Sequence, residues 1–271
     1  MIRFDTNYWA LIIGGSSGFG LATARKLARH GMNICIVHRD RRGAMQRIEP
    51  LFERIRSAGV QLVAMNTDAL STEGRKSVLD VMKERLGTDG KIRMMLHSVA
   101  FGNLKLLAPF DDSEGTYNNQ HFLDKEDFSR TIQAMGSNIV EWVQDIHRLG
   151  LFAHDARVLS LTSEGNKIAW KGYAAVSAAK AVLESVSRAI AVEFSPYGIR
   201  SNVIQAGVCD TPALQVIPGN QKIRSHAMER NPFRRLTVPE DVADVIFLLC
   251  LDEASWVNGS LICVDGGESI G

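Results

Sequence analysis

Tyr8-Trp9-Ala10-Leu11-Ile12-Ile13-Gly14-Gly15-Ser16-Ser17-Gly18-Phe19-Gly20 is a short apolar run that ends in a glycine-rich turn. Such a run reads as a strand buried on both faces. Residues 18–30 then carry apolar positions at helical spacing, and Gly31 stops them. Strand, turn and helix in this order aim unpaired backbone N–H groups and the positive end of a helix dipole at one point, which suits a pyrophosphate. Gly14 permits the tight turn, Gly18 lets the backbone approach the phosphates, and Gly20 allows helix and strand to pack closely. With Ser16, Ser17 and Phe19 they form a loop expected to bind a dinucleotide.

The same alternation continues along the chain. Strand-like runs at 33–38, 60–66, 92–98, 156–162, 199–205 and 260–264 are separated by helical patterns at 43–58, 71–86, 125–149, 172–194 and 239–251. Strands that alternate with helices imply right-handed crossovers and a parallel sheet. The fold class is therefore α/β: a single Rossmann-type, doubly wound domain over residues 1–271 with a seven-stranded parallel sheet. Residues 101–124 and 207–238 break the rhythm. Both are long, polar and follow strand C-terminal ends, where open α/β sheets bind ligands.

The chain has 271 residues and a net charge of +1, which argues against generic nucleic-acid binding. Cys35, Cys209, Cys250 and Cys263 have no metal or disulfide spacing, so buried free thiols and no metal site are expected. A reducing, cytoplasmic location follows. The N-terminus has no apolar signal region, and no apolar run is long enough to span a membrane.

The residues after the second strand read His38-Arg39-Asp40-Arg41-Arg42. An acid there favours a free ribose hydroxyl, whereas arginine favours a 2′-phosphate. Arg39, Arg41 and Arg42 can make charge-assisted bonds to phosphate. Asp40 could instead accept from the ribose. NADPH is the expected cofactor, with NADH as second choice.

The spacing Gly14-x-x-x-Gly18-x-Gly20 resembles the cofactor loop of short-chain dehydrogenases/reductases, with Ile13 where most members carry threonine. Asp68 matches the family position that bonds the adenine, and the resemblance adds cofactor contacts from Ala69, Ser98, Val99 and Ala100. His97-Ser98-Val99-Ala100 replaces the usual Asn-Ala-Gly and resembles the enoyl-acyl-carrier-protein reductase branch. Downstream, Tyr173-Ala-Ala-Val176-Ser-Ala-Ala-Lys180 places the tyrosine seven residues before the lysine instead of four. That Y-x6-K spacing resembles the same branch, including its NADPH-using members.

The spacing also has a chemical rationale. A tyrosine moved three residues back shifts by ~4.5 Å along a helix axis. In an enoyl thioester, the carbon that accepts hydride and the oxygen that gathers charge lie further apart than in a ketone. By resemblance, Tyr173 bonds the developing enolate oxygen, while Lys180 bonds the nicotinamide ribose and lowers the tyrosine pKa. Ser163 lies where ketoreductases keep a carbonyl-binding serine. It either helps hold the thioester carbonyl or is satisfied by a local turn. Asn138 is offset by about one turn from the family asparagine and takes no assigned role.

Gly207-Val208-Cys209-Asp210-Thr211 matches the family's loop after the sixth strand, with Ala206-Gly207 for the usual Pro-Gly. The resemblance gives Gly207, the Val208 backbone and Thr211 to the cofactor, the latter two at its carboxamide. The apolar segment 214–218 suits an acyl chain. A following basic helix with Lys222, Arg224, Arg230, Arg234 and Arg235 suits an acidic partner such as acyl carrier protein, or is a solvated surface. The ending Val264-Asp265-Gly266-Gly267 resembles a terminus that accompanies homotetramers. The expected function is NADPH-dependent reduction of an enoyl thioester in fatty-acid or related acyl synthesis. A β-ketoacyl or other carbonyl reductase and a catalytically silent NADP-binding scaffold are the alternatives.

Overall fold

A computed structural model describes residues 2–110 and 118–271. Seven strands form one sheet: β1 (Tyr8–Ile13), β2 (Asn33–His38), β3 (Leu62–Asn66), β4 (Lys91–His97), β5 (Phe152–Thr162), β6 (Ile199–Ala206) and β7 (Leu261–Val264). The spatial order is β3-β2-β1-β4-β5-β6-β7, and every pairing is parallel. The order reverses between β1 and β4, which opens a crevice at their C-terminal ends. Both the glycine turn and Ser98 lie there.

The helices are α1 (Gly18–Arg29), α2 (Met45–Arg56), α3 (Thr72–Leu86), α4 (Lys125–Ile132), α5 (Asn138–Arg148), α6 (Ala174–Glu193), α7 (Pro212–Gln215), α8 (Asn220–Arg230) and α9 (Pro239–Leu249). Alternate residues of the central strands feed two cores. Ala10, Ile12, Ile34 and Ile36 pack with α1, α2 and α9, whereas Leu11, Ile13, Cys35 and Val37 pack with α3, α5 and α6. This two-sided burial explains the nearly unbroken apolar runs in β1 and β2.

The structure departs from the sequence expectations in several places. The helix expected over 125–149 is interrupted by a π-type turn at Gln133–Ser137. The segment 207–238 holds two helices, and Arg234 and Arg235 lie beyond the end of α8. β7 is an edge strand whose residues are exposed or half-buried, so Cys263 is exposed and only Cys35, Cys209 and Cys250 are buried thiols. Of the 101–124 insertion, residues 111–117 lie outside the described residues. Within the described part of the insertion, Leu123 N–H donates to the Leu106 carbonyl at 2.8 Å. Among the described residues, no helix is long and apolar enough to cross a membrane, and no cluster of three or more potential ligands could hold a metal ion.

Gly14 has φ +88°, and a Cβ there would lie 2.3 Å from the Ser98 carbonyl oxygen. Gly14→Ala should therefore lower stability by about 2 kcal/mol or more, roughly 4 °C or more in Tm. Thermal melting checks this, and an unchanged Tm would show that the turn tolerates a side chain.

Candidate active site

The turn between β1 and α1 is built to admit a ligand. Gly14 N–H donates to the Val37 carbonyl at 2.8 Å, tying the turn to β2. A Cβ at Gly20 would lie 2.2 Å from the Gly14 carbonyl oxygen, so only glycine lets α1 start this close to β1. The α1 N-cap, Ser17, makes no side-chain capping bond, and the first turn holds no acid. Its orphan N–H groups and positive dipole therefore face the crevice unneutralised by a side chain. The glycine contacts and this bare helix start fit a dinucleotide pyrophosphate.

The expected adenosine side gathers at the ends of β2 and β3. Arg39 Nη1 lies 3.1 Å from Asp68 Oδ2, and Asp68 Oδ1 accepts from Leu70 N–H at 3.0 Å. The Ala69 carbonyl accepts from Trp142 Nε1 at 3.1 Å. Arg39, Arg41 and Arg42 are all exposed. Ser98 N–H donates to the Ile13 carbonyl at 2.8 Å and joins β4 to the glycine turn, with Val99 and Ala100 following it.

On the other side of the switch point lies a cavity of about 500 Å³. Ser163, Tyr173, Val176, Phe19, Ala100, Gly207, Val208 and Thr211 reach it. Tyr173 is the N-cap of α6, one residue before the helix proper. Its hydroxyl lies 3.4 Å from Ser163 Oγ. Ser163 caps a short 3₁₀ turn without a side-chain capping bond, so its hydroxyl is turned to Tyr173 and not to a local turn. Burial raises the Tyr173 pKa, while the Ser163 hydrogen bond lowers it. The phenol is thus protonated at neutral pH and can donate. Val176 is buried among Ala134, Met135 and Ala179.

Lys180 is deeply buried and donates from Nζ to the Leu161 carbonyl at 2.7 Å. Burial pulls its pKa down to about 8, with Glu184 opposing. His97 and Asn138, unassigned by sequence, are completely enclosed nearby. Burial first, and the Lys180 charge second, push the His97 pKa down to about 3, so the ring is neutral. Both His97 ring nitrogens and Asn138 Nδ2 lack a hydrogen-bond partner among the described residues. Asn138 Oδ1 accepts from Trp142 Nε1 at 3.1 Å. The π-type turn just before Asn138 packs on α6 and shifts Asn138 relative to an unbroken helix. Sequence spacing cannot show that change, because it assumes an unbroken helix. A Cβ at Gly136 would lie 2.8 Å from the Ala179 carbonyl oxygen, so glycine permits the close crossing.

The expected carboxamide contacts are occupied within the chain. Val208 N–H donates to the Glu268 carboxylate at 3.1 and 3.3 Å. Thr211 Oγ1 accepts from Leu214 N–H at 3.4 Å as the cap of α7. Burial raises the Glu268 pKa, which the Val208 N–H opposes. Arg230 grips Glu164 through two 2.9 Å bonds and fastens α8 to the turn that carries Ser163. Leu214, Val216 and Ile217 supply apolar lining from the same segment. The residues sequence reading missed here, Glu164 and Glu268, give no periodic or motif signal.

The profile of the family described as enoyl-(acyl carrier protein) reductase matches residues 14–269. The chain belongs to this family. As a whole it is an oxidoreductase of the short-chain dehydrogenase/reductase type. This oxidoreductase is 28% identical to the 1-cyclohexenylcarbonyl-CoA reductase of Streptomyces collinus, over 98% of its own length and 88% of the relative. Its fold resembles a Bacillus cereus enoyl-acyl carrier protein reductase solved with NADP+, with TM-score 0.83, 22% identity and 97% of each chain covered. It also resembles a 3-ketoacyl-(acyl-carrier-protein) reductase from Brucella melitensis complexed with NADH, with TM-score 0.75, 24% identity, and 97% and 98% coverage.

The buried Lys180 sets a pH dependence of stability. Its folded pKa lies below its unfolded value of 10.5, so its charge costs stability below about pH 8. Between those two values the unfolded chain binds more protons, and stability rises with pH. Lys180→Met should stabilise the short-chain reductase at pH 7 by on the order of 2 kcal/mol. The advantage should shrink from pH 8 to 10.5 in denaturant melts. A variant destabilised equally at every pH would contradict the buried charge.

Proposed function

We propose that this chain uses NADPH to reduce the C2=C3 double bond of an enoyl thioester. The observation that carries the reading is the position of Tyr173. Its hydroxyl faces the same cavity as Ser163, one helical turn before Val176, where an acid at four-residue spacing from Lys180 would stand. A reduced nicotinamide, when bound, supplies the hydride for the β-carbon. Tyr173 donates a hydrogen bond to the thioester carbonyl oxygen, where negative charge gathers, and Ser163 supports it from 3.4 Å. Lys180, an ammonium at neutral pH, would hold the nicotinamide ribose; contrary to the expectation from sequence, the Tyr173 pKa is raised by burial and lowered only by Ser163, with no contribution from the Lys180 charge. Gly14, Ser16, Ser17, Gly18, Phe19 and Gly20 hold the pyrophosphate region, and Arg39, Arg41 and Arg42 supply positive charge for a 2′-phosphate. The apolar walls exclude water and take the acyl group.

The name of the Streptomyces collinus relative supports reduction of an unsaturated thioester. We place the reaction in cytoplasmic fatty-acid or related acyl synthesis and the enzyme in a homotetramer. Acyl carrier protein is the proposed thioester carrier, with coenzyme A as its competitor. Arg224, Arg230 and Arg235 already hold Asp210, Glu164 and Asp241, which reduces the charge α8 and its flank offer to an acidic partner. A carbonyl reductase is the second reading, because the Ser163–Tyr173 pair also suits a ketone oxygen.

The test is NADPH oxidation with matched enoyl and β-ketoacyl thioesters on both carriers. The enoyl substrate should turn over and the ketoacyl substrate should not. Tyr173→Phe should lower kcat about 100-fold or more while dinucleotide binding persists. Turnover of ketoacyl substrates alone would establish the second reading.

A further inference from the structure

The exit of β2 carries one carboxylate among basic side chains: His38-Arg39-Asp40-Arg41-Arg42. A carboxylate free to swing into a ribose subsite accepts from a 2′-hydroxyl and repels a 2′-phosphate. Asp40 is not free to do so. His38 Nδ1 lies 2.8 Å from Asp40 Oδ2, and the side chains of these residues are 1% and 25% exposed. The His38 ring is itself held in place, edge-on to Phe52 at 5.4 Å between centroids. Asn66 grips the Asp40 backbone from both sides: it accepts from Asp40 N–H at 3.0 Å and donates to the Asp40 carbonyl at 2.9 Å. Backbone and carboxylate are thus both tied to the ends of β2 and β3. The arginines on either side remain exposed, with Arg39 leaning on Asp68.

We propose that His38 is a specificity-determining residue: by holding the Asp40 carboxylate against the end of β2, it withdraws the one acid from the ribose subsite and leaves that subsite to the arginines. This inference deepens the NADPH reading and rests on it. His38 acts through Asp40 and touches no cofactor atom itself. Either neutral His38 with its proton on Nδ1 or the imidazolium donates to the carboxylate. Released, Asp40 brings a negative charge into the 2′ subsite and an acceptor that only a free hydroxyl can use.

The test measures Kd for NADPH and for NADH, and kcat/KM for each with one enoyl thioester. His38→Leu keeps an apolar contact with Phe52 and removes the donor. The NADPH-to-NADH preference should fall about tenfold, chiefly through weaker NADPH binding. In the Asp40→Asn background the same substitution should leave the preference unchanged, because no carboxylate remains to be released. His38→Gln, which retains a donor, should restore most of the preference and guards against a fold defect in the leucine variant. An unchanged preference in His38→Leu, or an equal fall in both backgrounds, overturns the inference. A wild-type enzyme that prefers NADH defeats the NADPH reading instead, while the difference between the two backgrounds still tests the hold on Asp40.

Discussion

Backbone runs directly against backbone where β1 turns into α1. Side chains at Gly14 and Gly20 would stand 2.3 and 2.2 Å from the carbonyl oxygens of Ser98 and Gly14. These approaches bring the start of α1, the end of β1 and the end of β4 to one point. The crevice at the switch point, and the distance from it to Tyr173 and Lys180, depend on that crossing. The twin cores on the two faces of the sheet hold it rigid, because each central strand is fixed from both sides.

Beyond the crossing, the site is organised by burial. Lys180 is charged at neutral pH in a place that disfavours charge, and its ammonium is held by the Leu161 carbonyl. His97 is neutral beside it. Tyr173, a protonated phenol, lines the neighbouring cavity with Ser163. Three groups with shifted proton affinities thus meet between β4, α5 and α6, as proton-transfer sites commonly arrange them. Around the cavity, the Arg230–Glu164 and Glu268–Val208 contacts fasten α8 and the C-terminal turn to its wall. Those contacts define the cavity as much as its apolar lining does.

Much of this was legible in the residue order. The two-faced strands, the glycine turn and the Tyr173–Lys180 spacing are local signals, and local signals survive in a sequence because they follow from chain geometry and turn chemistry. The edge position of β7 was not legible. Its residues are as apolar as those of an interior strand, yet only one of its faces is covered: Ile262 and Val264 pack against the core, while Leu261 and Cys263 point to the other face and are exposed. The π-type turn before Asn138 was equally hidden, because what distinguishes it is its packing on α6, where Gly136 approaches the Ala179 carbonyl, a contact between segments far apart in the chain.

The sequence by itself determined a parallel α/β sheet, a glycine turn at its switch point and the Tyr173–Lys180 spacing. Periodicity, glycine placement and motif spacing are properties of consecutive residues, so they need no third dimension. Only the tertiary structure decided which groups meet and in what state. It placed the Asp40 carboxylate against His38, the Val208 N–H against Glu268, the Ser163 hydroxyl beside Tyr173 and the charge of Lys180 away from water. These contacts join residues from separate elements or set side-chain direction within one loop. Their hydrogen bonds and desolvation exist only once the chain has folded.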